Sequence, residues 1–202
     1  MKILKMIALC LIFTSCATRY GIVAGGQQTT YKESSSLSPY LDNNDIDLGD
    51  FEMKATGFHI GLSEETSHFL TKLVYFQNNY GEENFSIGTE SATVNLKENG
   101  FRGTIAWKLG FFQPYLMVSS YKPSISAKND TRSIDTTSSY TSIGFGADFE
   151  FQIGRKTFLY FGYSQDSHDE IGLTGAGSAT AELRHTTLSL GLRFNFHEDY
   201  SR

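Results

Sequence analysis

This 202-residue sequence predicts an all-β fold, an eight-stranded antiparallel up-and-down transmembrane β-barrel, from three observations. Eight segments alternate apolar with small or polar residues at period two, the mark of a strand with one apolar face. Tight turns alternate with long polar connections along the whole chain, as in a barrel with short turns at one end and long loops at the other. Charged residues recur on the face opposite the apolar one, where a barrel interior would enclose them.

The strands are expected at 19–30, 51–63, 67–78, 100–110, 112–121, 139–153, 157–165 and 182–196. In the second, Phe58, Ile60 and Leu62 alternate with Gly57, His59 and Gly61. The third, around "FLTKLVYFQ", is apolar on both sides, and Lys72 is placed inward because hydrocarbon would reject it. The fourth sets Phe101, Ile105, Trp107 and Leu109 against Arg102, Thr104, Ala106 and Lys108. The sixth sets Ile143, Phe145, Ala147, Phe149 and Phe151 against Gly144, Gly146, Asp148, Glu150 and Gln152. The eighth, ending in "SLGLRFNF", sets Leu188, Leu190, Leu192, Phe194 and Phe196 against Thr187, Ser189, Gly191, Arg193 and Asn195.

Three connections are tight, at 64–66, around Phe111 and at 154–156; four are long and polar, at 31–50, 79–99, 122–138 and 166–181. A soluble sandwich or lipocalin has no reason to sort its loops by end in this way. In a soluble protein the apolar faces would form the core and the charges would be exposed. In a membrane barrel the sides invert, so Arg102, Lys108, Asp148, Glu150 and Arg193 form an interior cluster whose buried charges must pair. Glycines 57, 61, 144, 146 and 191 would leave room for those long side chains. Aromatic residues near strand ends (Tyr20, Trp107, Phe111, Tyr121, Phe149, Phe151, Phe194 and Phe196) would form interfacial girdles.

Composition fits this inversion. The chain is 40% apolar, 14% aromatic and 19% charged, the last below the roughly 25% of an average soluble domain. No stretch after the N-terminus approaches the ~18 apolar residues of a membrane helix. Strands dilute their apolar residues one to one with interior ones, so a mean hydropathy of −0.27 is compatible with a membrane barrel.

Lys2 and Lys5 precede a short apolar run, "MIALCLIF", and then the small residues "TSCAT", the order of a secretory signal peptide. Residues 1–17 are accordingly read as a leader, 18–196 as the barrel and 197–202 as a short periplasmic tail. Two ends of the leader remain open: cleavage after Ala17, or a lipobox that makes Cys16 a lipidated first residue. Formal net charge is −5, and −7 once Lys2 and Lys5 leave, which argues against a nucleic-acid partner. Cys10 and Cys16 both lie in or beside the leader, so the barrel has no internal disulfide.

At pattern level the mature chain resembles the small eight-stranded outer-membrane barrels of bacteria, of the OmpA transmembrane-domain and OmpX kind. "SLGLRFNF" resembles their C-terminal signal to the barrel-assembly machinery, carried here by Ser189, Gly191, Phe194 and Phe196, and "FFQPYLMV" at 111–118 resembles another recurring stretch. The chain departs from that pattern by continuing past Phe196 with "HEDYSR". The resemblance implies bacterial outer-membrane residence with periplasmic termini, outer-membrane lipids and the assembly machinery as partners, and no cofactor. It also implies a structural or surface-interaction role for the four long loops, with an extracellular ligand as a further partner, or else a lipid-modifying enzyme or a narrow channel.

Catalytic and metal groupings are thin. Ser167, His168, Asp169 and Glu170 are neighbours in one expected loop, and sequence neighbours seldom converge on one reacting atom. His185 is followed by Thr186 and Thr187, not by the His-x-Ser of a deacylase barrel. Asp42, Asp45, Asp47, Asp50 and Glu52 crowd one loop without the spacing of a calcium-binding EF-hand. His59 and His68 have no evident metal partners and read as an interior residue and a turn residue. No catalytic and no metal site is expected.

Overall fold

The computed structural model describes residues 19–33, 52–87, 90–128, 133–137, 139–168 and 183–198. Nine strand segments follow in order: β1 (Arg19–Glu33), β2 (Glu52–Glu65), β3 (Phe69–Ile87), β4 (Glu90–Trp107), β5 (Phe112–Lys128), β6 (Ser133–Thr137), β7 (Tyr140–Gln152), β8 (Thr157–His168) and β9 (Leu183–Glu198). Consecutive strands pair antiparallel except β6 with β7, and β1 pairs with β9, so the sheet closes on itself. β6 and β7 both pair with β5, in one continuous register from Tyr121↔Tyr140 to Lys128↔Ser133, and together make one stave. The wall is therefore an eight-stave up-and-down barrel. Closure removes every edge from the membrane zone, leaving backbone N–H and C=O groups bonded to one another.

The outward row on each stave is apolar through the middle. It includes Ile22, Phe58, Ile60, Leu62, Leu73, Phe101, Leu116, Ile143, Phe145, Phe161 and Leu188 to Phe196 at alternate positions, all exposed. On β9 this row covers about 26 Å of strand at ~3.3 Å per residue, or roughly 20 Å of depth at the ~40° tilt of such barrels. At the end away from the tight turns the belt stops at a ring of polar outward residues: Gln28, Thr56, Gln77, Asn99, Ser120, Thr141, Gln165 and Thr186. All eight pair with one another across strands, as Gln28↔Thr56, Gln77↔Asn99, Ser120↔Thr141 and Gln165↔Thr186. Toward the tight turns aromatic rings crowd the wall, with Phe69 against Trp107 at 5.9 Å and Phe111 stacked on Phe151 at 6.0 Å.

The turns are built locally. Thr66 Oγ1 accepts from Phe69 N at 3.0 Å between β2 and β3. Between β4 and β5, Leu109 bridges Phe112 while Gly110 takes φ +71°, a backbone state that glycine adopts at little cost. Ile153 and Gly154 both donate to the Thr157 carbonyl between β7 and β8.

Three expectations need correction. The segments 79–99 and 122–138 are largely ladder, not loop. β3 and β4 pair as far as Ile87↔Glu90, after a register shift at Asn79/Gly81 where Gly81 has φ +80°. β4, β5 and β6 extend the same sheet to Lys128. Backbone hydrogen bonds carry strands past the belt whatever the side chains are, so the apolar alternation stops before the ladder does. Tyr121 belongs to no girdle: it is fully buried inside the barrel. β8 runs on to His168, so Asp166 is an inward strand residue and not the start of a loop. The leader, with Cys16, and the loop acids Asp42, Asp45, Asp47, Asp50, Asp169 and Glu170 lie outside the described residues.

Candidate functional site

The interior is where this chain concentrates its polar chemistry, in three tiers. The tier nearest the tight turns centres on Arg193 of β9, which is fully buried. Its guanidinium forks onto Glu150 of β7, with Nε to Oε2 at 3.0 Å and Nη2 to Oε1 at 2.5 Å. Nη1 reaches the opposite way, donating to Glu65 Oε2 of β2 at 2.7 Å and to Asn195 Oδ1 at 2.7 Å. The cation also lies 4.3 Å from the centre of the Phe158 ring. Lys108, half-buried in the turn after β4, donates to the other oxygen of Glu65 and to the Thr66 carbonyl. Gln113 donates to Glu150 at 3.1 Å. This bidentate geometry is the strong form of an ion pair and satisfies each charge with several hydrogen bonds.

In the middle tier, Lys72 of β3 crosses to Asp148 of β7, Nζ to Oδ2 at 2.6 Å, with both side chains buried. Its ammonium also lies over the Tyr160 ring, 4.5 Å from the centroid. His59 of β2 hydrogen-bonds the Tyr160 hydroxyl of β8. Glycines make space for these side chains: a Cβ on Gly191 would collide with the Tyr160 hydroxyl and the Ala24 carbonyl. A Cβ on Gly162 would collide with the Asp148 carboxylate.

The upper tier is the most aromatic. Glu98 of β4 accepts from Tyr140 at 2.9 Å, Tyr80 at 3.0 Å and Asn78 at 3.3 Å. His185 of β9 places Nε2 3.4 Å from Glu98 and Nδ1 4.0 Å from Asp166. Tyr121 stacks on both the His185 and Tyr140 rings, at 4.6 and 5.1 Å, and its hydroxyl donates to Asp166 at 2.5 Å. Arg102 donates to Ser119 at 3.1 Å and to Tyr121 at 3.3 Å. Each tier thus contains contacts that bridge staves which are not neighbours in the wall.

Of the interior charges expected from sequence, Arg102, Asp148, Glu150 and Arg193 are buried and Lys108 is half-buried. They are not one cluster. Lys108, Glu150 and Arg193 share the lowest tier, Asp148 the middle and Arg102 the upper. Sequence reasoning missed Glu65, Glu98, Asp166 and His185. Their parity was the available signal: Glu98 is in step with Gly100 and Arg102, and Asp166 with Tyr160, Gly162 and Ser164. Among the assembly-signal residues, Phe194 and Phe196 face outward, Gly191 faces inward against Tyr160, and Ser189 is half-buried. Ser67 and His68 hydrogen-bond at 2.6 Å in the β2–β3 turn, and Ser167 and His168 end β8.

No known family's sequence profile matches the chain, and no curated protein matches it. Among solved structures it is similar to Ail, the attachment invasion locus protein of Yersinia pestis, in complex with the heparin analogue sucrose octasulfate. That match has TM-score 0.55 and 12% identity and covers 88% of this chain and 99% of Ail. A second Ail structure matches with TM-score 0.53 and 14% identity, covering 88% of this chain and 99% of that one. Neisserial surface protein A is similar with TM-score 0.49 and 15% identity, covering 87% of this chain and 97% of its own. At such identities the likeness is one of fold, and it agrees with the closed eight-stave wall described above. This chain has the fold of the small eight-stranded bacterial outer-membrane β-barrels.

Proposed function

We propose that this protein resides in the bacterial outer membrane with its termini in the periplasm. Its barrel is a sealed scaffold, and its biological role is structural or is exercised by surface contacts at the loop end. The observation that supports this most is the filled lumen. Side chains from opposite walls meet at Glu98–His185 and Lys72–Asp148, and Arg193 ties β9 to β2 and β7. An eight-stave barrel has an interior just wide enough for side chains to fill, and here they are long, polar and mutually bonded. A lumen crossed by so many bonded side chains is expected to pass no solute, so interaction would fall to the four connections beyond the belt. Attachment is the role that Ail's name carries; because the likeness to Ail is one of fold, the proposal rests on the lumen instead.

Planar-bilayer recording tests the scaffold reading against the channel reading. The purified, heat-modifiable protein is expected to add no discrete conductance steps. Reproducible steps that disappear on substituting Arg102 or Glu150 would instead establish a conducting lumen. A lipid-modifying activity is tested by incubating the same protein with lipid A and phospholipids and following their masses, which are expected to stay unchanged.

A further inference from the structure

The interior tiers differ in how their charges match. In the lowest, Arg193 and Lys108 meet Glu65 and Glu150. In the middle, Lys72 meets Asp148. The upper tier buries two carboxylates, Glu98 and Asp166, but only one permanent cation, Arg102, whose guanidinium hydrogen-bonds Ser119 and Tyr121. The group placed to make up the difference is His185, fully buried, with Nε2 3.4 Å from Glu98 and Nδ1 4.0 Å from Asp166. Among the described residues, His185 Nδ1 and Asp166 Oδ1 have no hydrogen-bond partner. A shift of about 1 Å would bring those two atoms into a hydrogen bond if Nδ1 carried a proton. The other groups around the imidazole are phenols: Tyr121 of β5 at 4.6 Å, Tyr140 of β7 at 6.3 Å and Tyr31 of β1 at 5.5 Å, with Tyr80 of β3 bonded to Glu98. These residues share one level. One position past the polar ring, toward the loop end, the inward side chains include Asn78, Glu98, Tyr121, Tyr140, Asp166 and His185, all buried. The next inward positions, Tyr31, Met53, Tyr80 and Leu96, pack together as an apolar cap.

We propose that His185 is a proton-binding latch: as an imidazolium it ties Glu98 to Asp166 across the lumen and holds the loop end of the barrel closed, and loss of that proton loosens the closure. A buried carboxylate without a matching cation is costly, and this tier has two carboxylates for one arginine. Imidazole is the side chain that can gain or lose a charge near neutral pH, and it reaches both acids at once. His59 is the internal contrast. It hydrogen-bonds Tyr160 and has Lys72 and Arg102 as its charged neighbours, so a proton there would meet like charge. Opening the upper layer would give His185 to water, where imidazole releases its proton near pH ~6.5. Above that pH the closed layer must hold the proton against solvent. Closure therefore weakens by about tenfold per pH unit until the buried imidazole itself titrates.

The test uses full-length mature protein in phosphatidylcholine nanodiscs, with nitrogen-15 in its histidines, so that magnetic resonance reads each ring directly. The His185 signals are assigned by substituting the other four of the five histidines singly. At about pH 7.5 both ring nitrogens of His185 are expected to carry protons, whereas exposed His68 is expected to be mostly neutral. Backbone hydrogen exchange at 183–187 and 140–142, corrected for its intrinsic dependence on pH, is expected to quicken by about tenfold per unit above pH ~6.5. Exchange at 69–73, near the tight turns, is expected to show no such trend. Asp166→Asn leaves Glu98 matched by Arg102, so His185 is expected to lose its proton at lower pH and the alkaline quickening to disappear. His185→Gln is expected to exchange fast at every pH. A neutral His185 in the wild type at about pH 7.5 would overturn the proposal, and so would exchange indifferent to pH. An unchanged His185 titration in Asp166→Asn would overturn the assignment to the acid pair. Where His185→Gln gives no heat-modifiable band, the wild-type ring signals and Asp166→Asn decide the matter without it.

Discussion

Glu98 of β4 and His185 of β9 meet in the middle of the barrel although their strands lie four staves apart whichever way the wall is followed. The contact, 3.4 Å from Nε2 to Oε1, is a diameter of the lumen with both side chains buried. Two polar groups removed from solvent persist only when they satisfy each other, and here Tyr140, Tyr80 and Asn78 complete the carboxylate. The two residues should therefore act as a unit. Glu98→Gln and His185→Gln are expected to destabilise the barrel less in combination than the sum of the single effects, with a coupling of about 0.5–3 kcal/mol. Urea unfolding in lipid vesicles measures it, and strict additivity would mean that the pair is not coupled.

Arg193 holds two carboxylates from opposite directions. Removing it leaves Glu65 and Glu150 as buried charges with diminished compensation, a loss that typically costs about 3–5 kcal/mol. Arg193→Met is expected to fall in that range, and Lys108→Met well below it, because Lys108 is half-buried and reaches solvent. The same urea titration ranks the two. A larger loss for Lys108 would place the centre of the tier on the wrong cation.

The boundary of the apolar belt can be located by charge. Leu192→Arg, in the middle of the β9 row, is expected to cost roughly 2–4 kcal/mol in vesicles, whereas Thr186→Arg at the polar ring is expected to cost about 0–1 kcal/mol. Equal costs at both positions would mean that the exposed apolar face does not meet hydrocarbon.

Two glycines separate interior crowding from lipid-facing space. A Cβ at Gly25 would run into the Leu190 carbonyl, the Gly191 Cα and the His59 ring, whereas nothing lies within 4 Å of one at Gly103. Gly25→Ala is expected to destabilise by about 1–3 kcal/mol, as overpacking does. Gly103→Ala is expected to be neutral or slightly stabilising, since alanine restricts the unfolded chain. Thermal midpoints of the two variants decide this, and tolerance at Gly25 would show the interior to be looser than described.

Phe194 and Phe196 point into the belt next to the end of β9, where assembly machinery would read them. Phe194→Ser/Phe196→Ser is expected to lower the amount of protein reaching the membrane before any other property changes. Quantitative membrane immunoblots test this, and normal levels would remove the assembly role.

The fold was legible because hydrocarbon imposes a strict rule on every stave it touches: Leu188 to Phe196 on β9 and Ile143 to Phe151 on β7 show it without interruption. Lys72 could be placed inward on the same ground, although its strand is apolar on both faces, and it lies on Asp148. What the rule could not reach was the part of each strand beyond the belt. Glu98 and Asp166 fall there, among polar residues on both faces, so they read as loop although the ladder carries them inward. The sequence around His185 offers only the residues that follow it, Thr186 and Thr187, and such local neighbours cannot reveal a carboxylate on the far wall. Partners such as Glu65 with Arg193, or Tyr160 with His59, depend on register and closure, which periodicity alone does not supply.

Localisation and closure stand or fall together in one measurement, the migration of the protein from isolated outer membranes on electrophoresis with and without boiling. A sealed eight-stave barrel in the outer membrane predicts recovery in that fraction and a faster-migrating band in the unboiled sample that shifts on heating. Recovery as a soluble periplasmic protein, with no heat-dependent shift, would contradict the account.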